Sequence, residues 1–123
     1  MNNKNNMNTI NIKYLGINEV KVCKTSFSQS LGLMFSRKNN ARALLFEFEK
    51  EKKVPLHMFF VFYPIDVLYL NEDNEGNKRV VELKEDFKPF TFYFPKNKAK
   101  YVVELPANSV NKGQLDVNDT LVI

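Results

Sequence analysis

Apolar and polar residues alternate with a period of two along much of this chain, which is the signature of strands buried on one face. Thr9 to Leu15 sets Ile10, Ile12 and Tyr14 against Asn11 and Lys13, and Val20 and Val22 alternate with Lys21 and Cys23. Gly16 to Asn18 supplies a turn between them, so the two segments are expected to form a hairpin. One segment has helical spacing instead. Ser26 and Gln29 form a capping-box pair, and Phe27, Leu31 and Met34 or Phe35 share a face, which predicts a short helix from Ser26 to about Leu33. Ala43 to Phe48 reads as a strand, and the mixed-charge EKEKKV after it reads as a solvated loop.

The longest apolar run is LHMFFVFYPIDVLYL, Leu56 to Leu70. Pro64 cannot donate to a strand ladder, and the Phe, Val and Tyr content favours β structure. The run therefore predicts two strands, about Leu56 to Phe60 and Ile65 to Leu70, folded back on each other. It is too short and too interrupted to cross a membrane. NEDNEGNK is a turn by composition, and Arg79 to Leu83 returns as the partner of the preceding strand. Phe87 to Pro95 is aromatic with two prolines, hence an edge strand or a packed loop. Lys100 to Leu105 is a strand ended by Pro106. Ser109 to Gly113 is a short helical turn with Asn108 as its cap, and Thr120 to Ile123 is the last strand.

Many short strands without βαβ units predict a mainly β protein. The expected form is a small antiparallel curled sheet, barrel- or sandwich-like, with one or two short helices. It occupies residues 9–123 as a single domain behind a polar, Asn-rich tail, residues 1–8.

Composition narrows the function classes. Eleven Phe and no Trp suggest an aromatic core. A net charge of +4, with lysines scattered among acids, favours solubility and weakly attracts anions. It does not single out nucleic acid. Cys23 is the sole cysteine, so no intramolecular disulfide can form, and a small buried hydrophobe is the expectation for it. MNNKNNMNT lacks the apolar core of a signal peptide, which makes the cytoplasm the default address. The expected state is a monomer or weak dimer with no membrane partner.

Three stretches carry a family resemblance. GLMFSRK, Gly32 to Lys38, is similar to a Gly-Leu-Met-Phe-Arg element, with Arg37 displaced by one behind Ser36. HMFFVFYPIDVLYLNEDNEG, His57 to Gly76, resembles a Met-aromatic strand, a Pro-(Leu/Ile)-Asp turn, an aliphatic strand and an acidic turn. AKYVVELPANSV, Ala99 to Val110, is similar to Ala-x-Tyr-Val-Leu-Glu-Leu-x-Ala-Gly. Together they resemble the uncharacterised domain-of-unknown-function family one-nine-two from about Val20 to Ile123. Asn108 stands where that family often has Gly, and Asn118-Asp119 where it has Gly-Asp; Asn tolerates positive φ, so both still allow turns. The resemblance implies a compact β-rich domain and no particular activity.

His57 and Asp66 are the candidates for chemistry. His57 is either a strand histidine held by a backbone partner or a hydrogen-bonding group at the mouth of an apolar pocket. Asp66 among Ile65, Val67 and Leu68 needs partners if buried. These are backbone N–H groups at the Pro64 turn, or an ion pair with Arg37 or Arg42. With no second His and no cysteine pair a zinc site is not expected, and no catalytic residue or cofactor is assigned. Arg37, Lys38 and Arg42 form a basic loop that is either solvated or recognises an anion. The leading expectation is a non-enzymatic module that binds a small molecule or protein segment. Its apolar cleft is lined by Met34, Met58 and Phe59, with Arg37, His57 and Asp66 as polar contacts. Two alternatives remain: a single-stranded nucleic-acid binder, in which the aromatics of FTFYFPKNKAKYV stack bases beside Lys96, Lys98 and Lys100, and a hydrolase-like enzyme using His57 and Asp66.

Overall fold

Seven strands share one mixed sheet in the computed structural model, which describes residues 7–24, 34 and 37–123. They are β1 (Thr9–Asn11), β2 (Glu19–Cys23), β3 (Arg42–Lys52), β5 (Ile65–Glu72), β6 (Lys78–Phe87), β8 (Ala99–Pro106) and β9 (Thr120–Val122). Their order is β1-β9-β6-β5-β8-β3-β2, and the sheet curls into a half-barrel. Two further strands, β4 (Leu56–His57) and β7 (Phe92–Tyr93), pair as a separate antiparallel ribbon. A single short α-helix, α1 (Ser109–Gly113), occurs among the described residues. The helix expected from Ser26 to Leu33 lies outside them.

The expected first hairpin does not form, and the sheet is not wholly antiparallel. β1 runs parallel to β9, and β2 runs parallel to β3. Ile12–Leu15 is a 3-10 turn rather than the rest of a strand, with the Asn11 side chain accepting from Lys13 N–H at 2.9 Å. Residues three apart eclipse in a 3-10 helix, so Ile12 and Leu15 are both buried while Tyr14 faces water. Gly16 ends the turn at φ 83°, and the chain has then crossed from one border of the sheet to the other.

The centre is antiparallel, as the alternation predicts. β5 lies between β6 and β8, and β3 pairs with the far side of β8. The β5–β6 turn is the expected acidic one. The Asp73 carboxylate accepts from Glu75 and Asn77 N–H, both at 2.9 Å, and from Arg79 Nε at 3.0 Å, and Gly76 takes φ 82°. With both edges of β5 occupied, Leu56 to Phe60 cannot fold back onto it; instead β4 pairs with β7. EKEKKV is also corrected, because β3 continues through Lys52 with an irregularity after Glu47, its outer end being exposed.

The sheet is covered on both faces. On the first, Leu45, Leu68, Leu70, Val103 and Leu105 pack with Ile12, Leu15, Val110 and Leu121. On the second, Leu44, Phe46, Val67, Tyr69 and Val102 pack with Cys23, Met58 and Val61. β5 and β8 are buried on both sides, which is why each is apolar at consecutive positions, VLYL in β5 and YVV in β8, with Asp66 and Glu104 as buried carboxylates within them.

Candidate functional site

Asp66 is 1% exposed and points to the first face, in step with Leu68 and Leu70. Its Oδ1 accepts from Asp86 N–H and its Oδ2 from Val110 N–H, each at 2.9 Å. Val110 lies in the first turn of α1, where backbone donors lack helical partners. The Asn108 side chain makes no capping bond, so Asp66 caps the helix from a neighbouring strand. Its partners are therefore neither the Pro64 turn nor an arginine.

Met58 is 1% exposed and belongs to the second face. His57 is exposed on β4; its Nδ1 accepts from Phe59 N–H at 3.2 Å, and its ring lies 5.1 Å from that of Phe59. Met58 and Asp66 thus serve opposite faces, and His57 and Asp66 each bond to separate backbone groups. The expected cleft of His57, Met58, Phe59 and Asp66 is not assembled, nor is a His–Asp dyad. The reason is register: the expected hairpin would have put both on one ladder, whereas β4 joins another sheet. Of the remaining candidates, Met34 is half-buried and Arg37 is exposed.

The ribbon carries a different surface. Phe59, Phe60, Phe62, Phe90, Phe92 and Phe94 are all 39–72% exposed. Phe59 meets Phe92 edge-on at 4.9 Å, and Phe92 stacks on Phe94 at 6.2 Å. Phe90 receives Phe62 at 5.4 Å and Phe60 at 6.0 Å. The two aromatic loops are held side by side by Met58 N–H donating to Thr91 O and by Phe90 N–H donating to Met58 O, each at 2.8 Å. Leu56, Met58, Val61 and Tyr93 point inward and anchor the ribbon on the second face. Alternation then sends Phe92 and Phe94 outward.

Phe60 and Phe90 also occupy left-handed backbone, at φ 58° and 60°. This region is uncommon for non-glycine residues and an outlier for bulky ones. The aromatic core expected from composition is only partly present. Phe46 and Phe87 are buried, while six phenylalanines face water.

Two buried glutamates differ sharply. Glu82 accepts from the Tyr93 hydroxyl, from Lys96 and Asn97 N–H and from Asn97 Nδ2. Burial pushes its carboxyl up, but those hydrogen bonds outweigh burial and hold it below the usual range. The same contact and burial raise the Tyr93 hydroxyl to about 12, burial being the larger cause. Glu104 has no such shell. It is 8% exposed, its Oε1 lacks a hydrogen-bond partner, and burial pushes it up to about 7. It lines a pocket with Lys38 and Arg42 of the basic loop. The sequence sign of Glu104 was a lone carboxylate inside YVVELP, a strand buried on both faces.

No cluster of three His, Cys, Asp or Glu suited to a metal ion occurs among the described residues. Nor is any helix there long and apolar enough to cross a membrane.

The model of DUF192, described as uncharacterized ACR, matches residues 7–123. The chain belongs to the DUF192 family. A UPF0127 protein of Pyrococcus furiosus is 34% identical over 103 residues, covering 84% of each chain. Another, of Thermococcus sibiricus, is 33% identical over 103 residues, which cover 83% of this chain but 64% of that relative's length. Among solved structures, a Sinorhizobium meliloti protein provisionally called a transcription regulator superposes with a TM-score of 0.72. It is 22% identical, with 80% of this chain and 76% of that one covered. A protein of unknown function from Novosphingobium aromaticivorans gives 0.70 at 18% identity, over 80% of this chain and 70% of that one. At these identities the structural likeness shows the DUF192 fold alone.

Proposed function

We propose that this DUF192 domain is a non-enzymatic binding module that receives an apolar segment of another protein on the phenylalanine surface of the β4–β7 ribbon. One observation carries the reading: six exposed rings form two chains of contacting rings, three in each, on two loops hydrogen-bonded to each other. Contiguous exposed apolar patches mark interaction sites, whereas scattered apolar residues do not. Each ring that a partner buries contributes up to about 1.5–3 kcal/mol. Lys84, whose Nζ lies 5.6 Å over the Tyr93 ring, and the exposed Lys96, which adjoins the ribbon in sequence, favour an acidic residue beside the apolar segment, whereas Lys88 is already paired with Asp86 at 2.7 Å. The nucleic-acid alternative, with the aromatics of FTFYFPKNKAKYV beside Lys96, Lys98 and Lys100, keeps Phe92, Phe94, Lys96 and Lys98 exposed but loses Tyr101, which is buried in the core, and Lys100, which pairs with Glu72 at 3.3 Å.

Selection from a displayed peptide library, followed by fluorescence polarisation on the enriched peptides, tests this. The expected result is enrichment of apolar peptides with acidic flanks, and binding about tenfold or more weaker for the Phe62→Ser/Phe92→Ser variant. Enriched peptides indifferent to that variant overturn the reading. So does ring-dependent binding to phosphatidylcholine vesicles without peptide binding, which would assign the surface to a membrane.

A further inference from the structure

The β4–β7 ribbon has two outer edges, and they differ. In an antiparallel ladder, pairs that exchange both backbone hydrogen bonds alternate with pairs that exchange neither. His57 stands opposite Phe92, and one residue further on Met58 N–H donates to Thr91 O at 2.8 Å, so His57 and Phe92 form a pair of the second kind. The N–H and C=O of each therefore point away from the other strand, onto the outer edges.

The β4 edge is blunted. Pro55 has no N–H to offer, and Phe59 N–H already donates to His57 Nδ1 at 3.2 Å. Phe60 then takes the chain through left-handed backbone. The β7 edge is open: among the described residues, no backbone or side-chain acceptor takes the Phe92 N–H. Phe92 and Phe94 beside it are 56% and 72% exposed, and their rings stack with planes 13° apart. Two rings two residues apart match the spacing at which a neighbouring strand presents side chains to one face. Pro89 and Pro95 bracket this edge, which keeps it short and limits indiscriminate pairing.

A guest that covers both rings also removes water from the Phe92 backbone. A helix satisfies its own backbone and would leave that N–H and C=O without partners, which is costly. An extended chain meets both groups. A second copy pairing β7 with β7 would bring two sets of Lys84 and Lys96 together, and like charges oppose that.

We infer that the apolar segment docks as an added strand along the outer edge of β7, its backbone exchanging hydrogen bonds with Phe92 and its apolar side chains at i and i+2 lying beside Phe92 and Phe94. The partner is then an extended segment of another protein with alternating apolar residues and an acidic residue next to them. This rests on the phenylalanine surface being a peptide-docking site, and the experiment separates the two.

An N-methyl group is placed at each position in turn of the tightest peptide from the library selection, and affinity is read by fluorescence polarisation. Each methyl removes one backbone donor, and in a docked strand only every second donor faces β7. Methylation at alternate positions should weaken binding about tenfold, as one lost hydrogen bond implies, and leave it nearly unchanged in between. In the ¹⁵N-labelled full chain, saturating peptide should slow exchange of the Phe92 amide at least tenfold. A profile without a period of two, or a Phe92 amide that exchanges as before, overturns the added strand; if Phe62→Ser/Phe92→Ser still weakens binding, the docking role survives. No ring-dependent peptide binding ends both. A peptide-free dimer in native mass spectrometry, with the Phe92 amide protected, would assign the edge to a second copy and overturn the inference as well.

Discussion

Asp66 shows how much of the fold can hang on one carboxylate. It joins the end of β6 to the first turn of α1 through two backbone donors, of which Val110 N–H is buried and Asp86 N–H, on an exposed residue, is only partly so. Asp66→Ala should cost about 1.5–3 kcal/mol, since it orphans the buried Val110 donor and removes a second, partly buried bond to Asp86. A urea denaturation midpoint would measure that, and a loss within about 0.5 kcal/mol would refute it. Glu104 makes the opposite prediction for pH. Its carboxyl ionises at about 7 in the native state against an ordinary 4.5, so between those values the native state holds the proton and the unfolded state does not. The associated stability is complete below pH 4.5 and is lost as pH rises through about 7, roughly 3 kcal/mol in all. Urea midpoints between pH 4.5 and 8 should show this decline in the wild type and a flatter profile in Glu104→Gln. Parallel profiles would mean the carboxyl is solvated or paired.

The β4–β7 ribbon is the element where local structure and stability pull apart. Phe60 and Phe90 hold left-handed backbone that glycine adopts without a steric penalty. Strain of this kind costs on the order of 1–3 kcal/mol per residue and gathers at functional sites. Phe60→Gly should therefore raise the thermal midpoint, by a gain of about 1 kcal/mol after the lost ring contact with Phe90 is subtracted. The same change should weaken binding of the selected peptides. A variant that is destabilised, or stabilised with binding intact, would show that the ring serves the fold alone. Where glycine already occupies such a position, as Gly76 does in the β5–β6 turn, nothing lies within 4 Å of an added Cβ; that turn is limited by its backbone conformation rather than by space.

For the whole molecule, the sheet order places β5 and β8 at the centre, each paired along both edges and covered on both faces. The borders are short parallel pairs, with β1 tied on by the Asp119 carboxylate, which accepts from Asn8 and Asp116 N–H. Local openings follow buried contact and pairing. Amides of β5 and β8 should thus exchange slowest in native-state hydrogen exchange, with those of β4, β7 and α1 at least tenfold faster. Equal protection of the ribbon would mean that it opens only with the central sheet.

Alternation, turn residues and proline placement were enough to locate β5, β6, β8 and β9, the Asp73–Asn77 turn and the short helix at Ser109, because each is specified by neighbours a few residues away. β5 announced itself as an apolar run interrupted by Asp66, whose carboxylate needed partners if buried, whereas the double burial of β8 and of Glu104 within it was not read from the alternation of Tyr101, Val103 and Leu105. Partnership between distant segments was not so specified. Ile10 and Ile12 satisfy a strand and a 3-10 turn equally well in sequence, and only packing against β9 and the core chose between them. Leu56 to Phe60 had no way to signal that β6 and β8 would occupy both edges of β5, and that decision separated His57 from Asp66 and turned six phenylalanines toward solvent. A side chain's face follows from local periodicity, but what lies opposite that face depends on hydrogen-bond edges contributed from elsewhere in the chain.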